Sequence, residues 1–183
     1  VKNTLSYFET KNLKINKIWV LPSKISHKNS SSLSLWYLKT FGTYVFIKLG
    51  VFYTLSIFRN YFSGLYDFKS FSKKYKVDVI YIDSLDNKNL FNYLNKRSKI
   101  ISFALTNHIF SKKIIDLKGH VIINKHSSLL PAFKGLFPYF WTKIMGKANG
   151  VTFHLIDEKI DNGKIIYQKK INKNFKSMIS FYL

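Results

Sequence analysis

Residues 77–124 read VDVIYIDSLDNKNLFNYLNKRSKIISFALTNHIFSKKIIDLKGHVIIN, and the alternation inside this stretch decides the fold class. Val77 to Ile82 (VDVIYI), Ile100 to Ala104 (IISFA) and Val121 to Asn124 (VIIN) are short apolar runs of strand length. Between them, Asn87 to Lys96 and Ser111 to Leu117 carry helical patterns. Strands separated by helices, with apolar runs in place of clean alternation, predict βαβ units on a parallel sheet. Gly119 stands where the second helix is expected to end.

Working outward, Phe68 to Lys76 is an amphipathic helix and Ile15 to Leu21 (INKIWVL) a short buried strand ended by Pro22. A helix over Asn3 to Thr10 and a polar loop over Ser23 to Ser34 complete the amino-terminal part. From Leu35 to Phe62 the chain is apolar and aromatic, and its window Thr40 to Phe58 holds a single charge, Lys48. That window is long enough to span a bilayer. Gly42, Gly50, the hydroxyl residues and Lys48 dilute it, so residues 35–62 are expected to form an apolar helical insertion, buried or lying against a membrane surface or partner. Downstream, Val151 to Ile156 and Lys164 to Gln168 are strands joined by a loop that turns at Asn162-Gly163. The expected fold is α/β, three-layer, with a mostly parallel sheet flanked by helices. The chain begins at Val1 and stops inside the apolar run Phe181-Tyr182-Leu183, so it is expected to be a fragment lacking its first strand.

Composition narrows the function. The 183 residues include no cysteine, which excludes a disulfide scaffold, a thiolate metal site and a cysteine nucleophile. With 46% hydrophobic residues the chain has material for a core and is not intrinsically disordered. No secretory signal pattern opens it, and the expected compartment is the cytoplasm. The net charge of +21 would suggest a polyanionic partner, yet Arg59 and Arg97 are its only arginines. Bidentate phosphate contacts favour the guanidinium fork, and the richness in Lys, Asn, Ile, Phe and Tyr matches an AT-biased codon supply. The charge therefore does not decide a partner.

Chemistry concentrates in two segments, NKHSSLLPAFKG from Asn124 and GVTFHLIDEKIDNGKII from Gly150. Ligands of parallel α/β sheets bind at the carboxyl ends of strands, which is where Asn124 and His126 fall. Two residues apart on an extended segment, they emerge on one side, an amide and an imidazole that can both stabilise an oxyanion. Three of the nine acidic residues, Asp157, Glu158 and Asp161, lie within five positions. Asp161, just before the turn, can reach a protonated group near His126 and take a proton from an attacking amine. By itself an Asn-x-His reads first as a satisfied turn, and Asp157 and Glu158 are compatible with a solvated loop. His154, in an apolar strand, reads as a packed core residue. No histidine or carboxylate spacing suggests a metal.

Together the two segments resemble the catalytic domain of the folate-dependent formyltransferases, the group of glycinamide ribonucleotide, methionyl-tRNA and sugar N-formyltransferases. Asn124, His126, Ser128, Leu129, Leu130, Pro131, Gly135, Asp161 and Gly163 all fit the pattern of that group, and the match covers roughly residues 77–171. The resemblance implies a Rossmann-like formyltransferase domain over 1–183, truncated at both ends, with 10-formyltetrahydrofolate as formyl donor. Asn124 and His126 would hold the formyl oxygen, and Asp161 would position His126 and help move the proton. The folate pocket would be built, mostly through main chain, from His108, Ile109 and Phe110 and from the loop with Asp157, Glu158 and Ile160. The glycine-rich phosphate loop of the glycinamide ribonucleotide enzymes is not found in this sequence; nor is the carboxy-terminal barrel of the methionyl-tRNA enzymes, which truncation of the chain would equally explain. Lys134 to Trp141 (KGLFPYFW) is closer to the sugar-modifying members and would supply an aromatic wall. The acceptor is accordingly expected to be an amino sugar, nucleotide-linked or not, or another small amine. Methionyl-tRNA is the alternative, and a non-catalytic membrane-peripheral or interaction role a further one.

Overall fold

The computed structural model describes residues 15–22, 68–171 and a set of positions between 34 and 58. The helix expected over Asn3 to Thr10 and nearly all of the polar loop Ser23 to Ser34 lie outside the described residues. The chain divides into two compact units, Val1–Ser84 and Leu85–Leu183.

In the first unit, β1 (Lys17–Val20) is followed by α1 (Phe68–Tyr75) and β2 (Asp78–Tyr81). β1 and β2 pair in parallel, Lys17 opposite Asp78 and Val20 opposite Tyr81. The Lys17 ammonium sits 3.3 Å from the Asp78 carboxylate across the pair, and Ile82 N–H donates to the Val20 carbonyl at 3.0 Å. Val77 and Ile82, which bracket β2, are buried. Most described positions between 34 and 58 are helical, and Tyr44, Ile47, Val51, Leu55 and Phe58 are exposed there. Among the described residues no helix is long and apolar enough to cross a membrane.

The second unit runs α2 (Lys88–Asn95), β3 (Ile100–Ala104), α3 (Lys112–Ile115), β4 (His120–His126), α4 (Pro138–Ile144), β5 (Gly150–Leu155) and β6 (Ile165–Lys170). Asn87 caps α2, its side-chain oxygen accepting from the main-chain N–H groups of Asn89 and Leu90. Leu90 and Leu94, one turn apart, are the residues this helix buries. The strand order is β3-β4-β5-β6. β3 and β4 are parallel, with α3 in the crossover, whereas β4 with β5 and β5 with β6 are antiparallel. The expected parallel, helix-linked pairing is thus carried by β1/β2 and β3/β4, and the sheet turns antiparallel at β5. The helix α3 ends at Ile115, before Gly119, and Gly119 serves a tighter purpose. Its φ is +77°, and a Cβ there would lie 2.0 Å from the Ser98 carbonyl oxygen. That close approach admits the hydrogen bond from Ile100 N–H to the Gly119 carbonyl that starts β3.

Register builds the site face. Ala104 lies opposite Asn124, Asn124 opposite His154, and His126 opposite Thr152. In β5 the burial alternates strictly, with Gly150, Thr152 and His154 inward. On the same face, Ser102 O–H donates to His120 Nε2 at 2.8 Å, and the other ring nitrogen reaches the Ile114 carbonyl at 3.4 Å. Burial pushes the His120 imidazole below its ordinary value, and the Ile114 bond offsets this only in part. The unfolded chain therefore takes up a proton at His120 near its ordinary value of about 6.5, the folded chain only at lower pH. Stability is whole above about pH 7 and falls as pH drops through 6.5 towards the folded value. Urea midpoints measured between pH 8 and 5 are expected to fall more steeply for the wild type than for His120→Gln. Parallel curves would remove His120 from the acid limb.

Candidate active site

β4 ends by delivering two polar side chains to one point. Asn124 is half-buried and His126, the last residue of the strand, is 6% exposed at its side chain. The chain then folds back through Ser128 to Gly135, and hydroxyl groups beneath strap this loop to the sheet. Thr152 O–H donates to the Ser128 carbonyl at 2.6 Å and accepts from Leu130 N–H at 3.1 Å. The Gln168 amide donates both to the Leu130 carbonyl and to Thr152 Oγ1. Ser128 O–H donates to the Ala132 carbonyl at 2.8 Å. Ser128 and Thr152 are fully buried, so these bonds meet no competition from water.

Asp161 is the hub. It comes from the loop between β5 and β6, and its main chain takes the left-handed conformation, φ +48°. Its Oδ2 accepts from Gly135 N–H at 2.8 Å and faces His126 Nδ1 at 3.4 Å. Its Oδ1 accepts from the Asn124 amide at 3.4 Å and faces His154 Nε2 at 3.4 Å. The carboxylate, 12% exposed, is therefore surrounded on every side by polar partners. Each imidazole is pinned from behind by a main-chain carbonyl: His126 Nε2 donates to Phe133 O and His154 Nδ1 to Leu155 O, both at 2.8 Å. The Asn124 amide nitrogen also lies 3.3 Å from His154 Nε2, so one amide touches both that ring and the Asp161 carboxylate. His126 presents the remaining nitrogen to the carboxylate, and a favourable contact there requires a proton between them.

The structure thus brings together Asn124, His126 and Asp161, as the spacing predicts. It adds His154, whose place in an apolar strand pointed to the core. The ring is indeed 2% exposed, but its Nε2 is turned to the site. The signal in the sequence was the inward face of β5, which carries Gly150, Thr152 and His154 and no aliphatic side chain. The Phe133 carbonyl and the Gly135 amide are main-chain groups and left no trace in side-chain chemistry.

The segments expected to form a cofactor pocket also lie in the second unit. His108, Ile109 and Phe110 follow the carboxyl end of β3, with His108 N–H held by Thr106 Oγ1 at 3.1 Å and Ile109 74% exposed. In the loop after β5, Asp157 accepts from Lys159 N–H at 3.0 Å, Glu158 is exposed and Ile160 projects outward. Lys112, the first residue of α3, pairs with Glu158 and with Asp116, and so joins the two segments. Both acids hold the Lys112 ammonium above its ordinary value, although the group is solvent-exposed and the pairs add little to stability. Lys134 to Trp141 is not a continuous aromatic wall. Pro138 starts α4, Tyr139 turns into the core, and Trp141 faces outward. Among the described residues no group of three or more His, Asp or Glu is arranged to hold a metal ion.

Comparison with known proteins bears on this arrangement directly. Residues 73–174, more than half of the chain, match the family model described as formyl transferase. The chain is 36% identical over 105 residues to the bifunctional polymyxin resistance protein ArnA of Wigglesworthia glossinidia brevipalpis, covering 56% of this chain and 16% of that protein. It is 45% identical over 67 residues to methionyl-tRNA formyltransferase of Thermodesulfovibrio yellowstonii, covering 36% of this chain and 22% of that one. The crystal structure of phosphoribosylglycinamide formyltransferase from Anaplasma phagocytophilum superposes with a TM-score of 0.52 at 26% identity, over 60% of this chain and 56% of that chain. This chain spans only about a sixth to a quarter of those two curated relatives. The matched segment holds both site strands, the strapped loop between them and the turn that carries Asp161, and on that ground the chain belongs to the formyl transferase family.

Proposed function

We propose that this chain transfers a formyl group from 10-formyltetrahydrofolate to a primary amine. The observation that supports it is the Asp161 carboxylate 3.4 Å from both the Asn124 amide and the His126 ring, lying inside the segment that matches the family. The donor supplies an electrophilic formyl carbon. The acceptor nitrogen bonds to that carbon, the bond from the carbon to the donor nitrogen breaks, and the proton lost by the amine is returned to the leaving nitrogen. Asn124 holds its amide partners at 3.3 and 3.4 Å, long enough that one N–H is easily redirected to a substrate oxygen. Asp161, buried and faced by His126, is placed to receive the amine proton and pass it on. His108, Ile109 and Phe110 and the loop with Asp157, Glu158 and Ile160 form the folate side of the site.

The acceptor we favour is an amino sugar, because Leu136, next to the Gly135 that bonds Asp161, and Trp141 on α4 are exposed apolar side chains able to take the face of a sugar or base. Methionyl-tRNA is the second reading, favoured by the curated relatives that bear that enzyme's name. The purified protein, given 10-formyltetrahydrofolate and a panel of nucleotide-linked amino sugars and methionyl-tRNA, is expected to release tetrahydrofolate with one class. Release with none of them, from folded protein that binds 5-formyltetrahydrofolate, would sink the proposal.

A further inference from the structure

We infer that Phe133 is the positioning residue of His126 and that it acts through its main-chain carbonyl. His126 Nε2 lies 2.8 Å from the Phe133 oxygen, seven residues downstream. A carbonyl only accepts, so this contact places a hydrogen on Nε2 and leaves Nδ1 as the nitrogen that works. Nδ1 faces Asp161 Oδ2 at 3.4 Å. With Nε2–H fixed, a neutral ring would set a nitrogen lone pair against a carboxylate. The mobile proton of the site is therefore held between Nδ1 and Asp161, and the far side of the ring chooses that location.

The carbonyl can point back at β4 because Phe133 adopts the left-handed conformation, φ +58°. That is an unfavourable state for a bulky residue and persists only where neighbours over-determine it. Here they do. Ala132 N–H donates to the Leu129 carbonyl, Ser128 O–H holds the Ala132 carbonyl, and on the other side Gly135 N–H is taken by Asp161. The loop is thus tied on one flank to the sheet and on the other to the carboxylate that His126 serves. The Phe133 side chain is half-buried and makes no polar contact of its own. What the position contributes to the site is a backbone direction.

The substitutions Phe133→Gly and Phe133→Asn separate direction from packing, because both lose the ring and both accept the left-handed region. Phe133→Val keeps an apolar side chain but disfavours that region. Long-range proton–nitrogen spectra of the histidine rings report which nitrogen of His126 carries the fixed hydrogen. The glycine and asparagine variants are expected to keep the wild-type ring pattern, and the valine variant to lose the Nε2–H signature. In formyl transfer, which rests on the function proposed above, kcat is expected to fall about tenfold or more for valine at nearly unchanged KM, and by less than about threefold for glycine. Equal losses in the glycine and valine variants, or an unchanged ring pattern in the valine variant, would overturn the inference. Should the valine variant not fold, a changed ring pattern in either of the other two overturns it, and the wild-type pattern in both sustains it. The ring spectra need no substrate, so a protein that formylates nothing still tests the role of Phe133.

Discussion

Asp161→Asn is expected to leave the chain folded and able to bind 5-formyltetrahydrofolate, while kcat for formyl transfer falls by about 10²–10³-fold. The argument rests on what the substitution keeps. Asparagine tolerates the left-handed conformation that position 161 adopts at φ +48°, so the loop is not strained. Its amide oxygen can still accept from Gly135 N–H, the strongest bond that Asp161 makes at 2.8 Å. What disappears is the negative charge between two imidazoles and the capacity to take up a proton. Only steps that move a proton suffer, which is why binding and rate separate. Asp161→Ala is expected to be worse in a different way. It abandons the Gly135 N–H and is disfavoured at that φ, so its melting temperature falls as well. Calorimetric titration with 5-formyltetrahydrofolate beside a tetrahydrofolate release assay distinguishes the cases. An asparagine variant within threefold of wild type would remove Asp161 from the reaction.

Gly163→Ala carries the largest expected effect on stability. A Cβ at this position would lie 1.9 Å from the Leu155 carbonyl oxygen and 2.7 Å from its carbon. Both are main-chain atoms, held in place because Leu155 N–H donates to the Lys164 carbonyl at 2.9 Å. Neither strand end can yield without breaking the first bond of the β5/β6 hairpin. The cost is that of overpacking, about 1–3 kcal/mol, which in a chain of this size lowers the melting temperature on the order of 5–10 °C. Because Asp161 is two residues away, the displaced loop also moves the carboxylate, and rate falls with stability. Gly150→Ala is the milder comparison. Its nearest clash, at 2.2 Å, is with the Leu129 side chain, which can move in part, although the Lys169 carbonyl oxygen at 2.9 Å means that this variant costs some stability too. Thermal melts of the two variants are expected to differ clearly, and equal melts would show that the hairpin loop shifts freely.

Much of the stretch from β2 to β4 was legible before any coordinates. The runs VDVIYI, IISFA and VIIN became β2, β3 and β4 because β-branched stretches bounded by turn residues have few other outcomes. Asn87 and the Leu90/Leu94 pair marked α2 through capping and one-turn spacing. The antiparallel course of β5 and β6 was less legible, since a strand's own pattern does not record its partner's direction. The stretch Lys134 to Trp141 read as an aromatic wall, yet from Pro138 it enters a helix, because proline at the first turn and the buried Tyr139 outweigh the β-preference of its aromatic residues.

The same division runs through the site. The order and spacing of Asn124, His126, Asp161 and Gly163 determined the family and named the groups able to move protons, because such groups are side chains and side chains are what a sequence records. The tertiary structure alone decided how those groups are aimed. It set His154 opposite Asn124 through the register of β4 and β5, brought Asp161 to both, and pinned each ring with a carbonyl from Phe133 or Leu155. It also pressed Gly163 against Leu155. Every residue carries the same main-chain donor and acceptor, so their use depends on the path of the chain and has no signature in residue type.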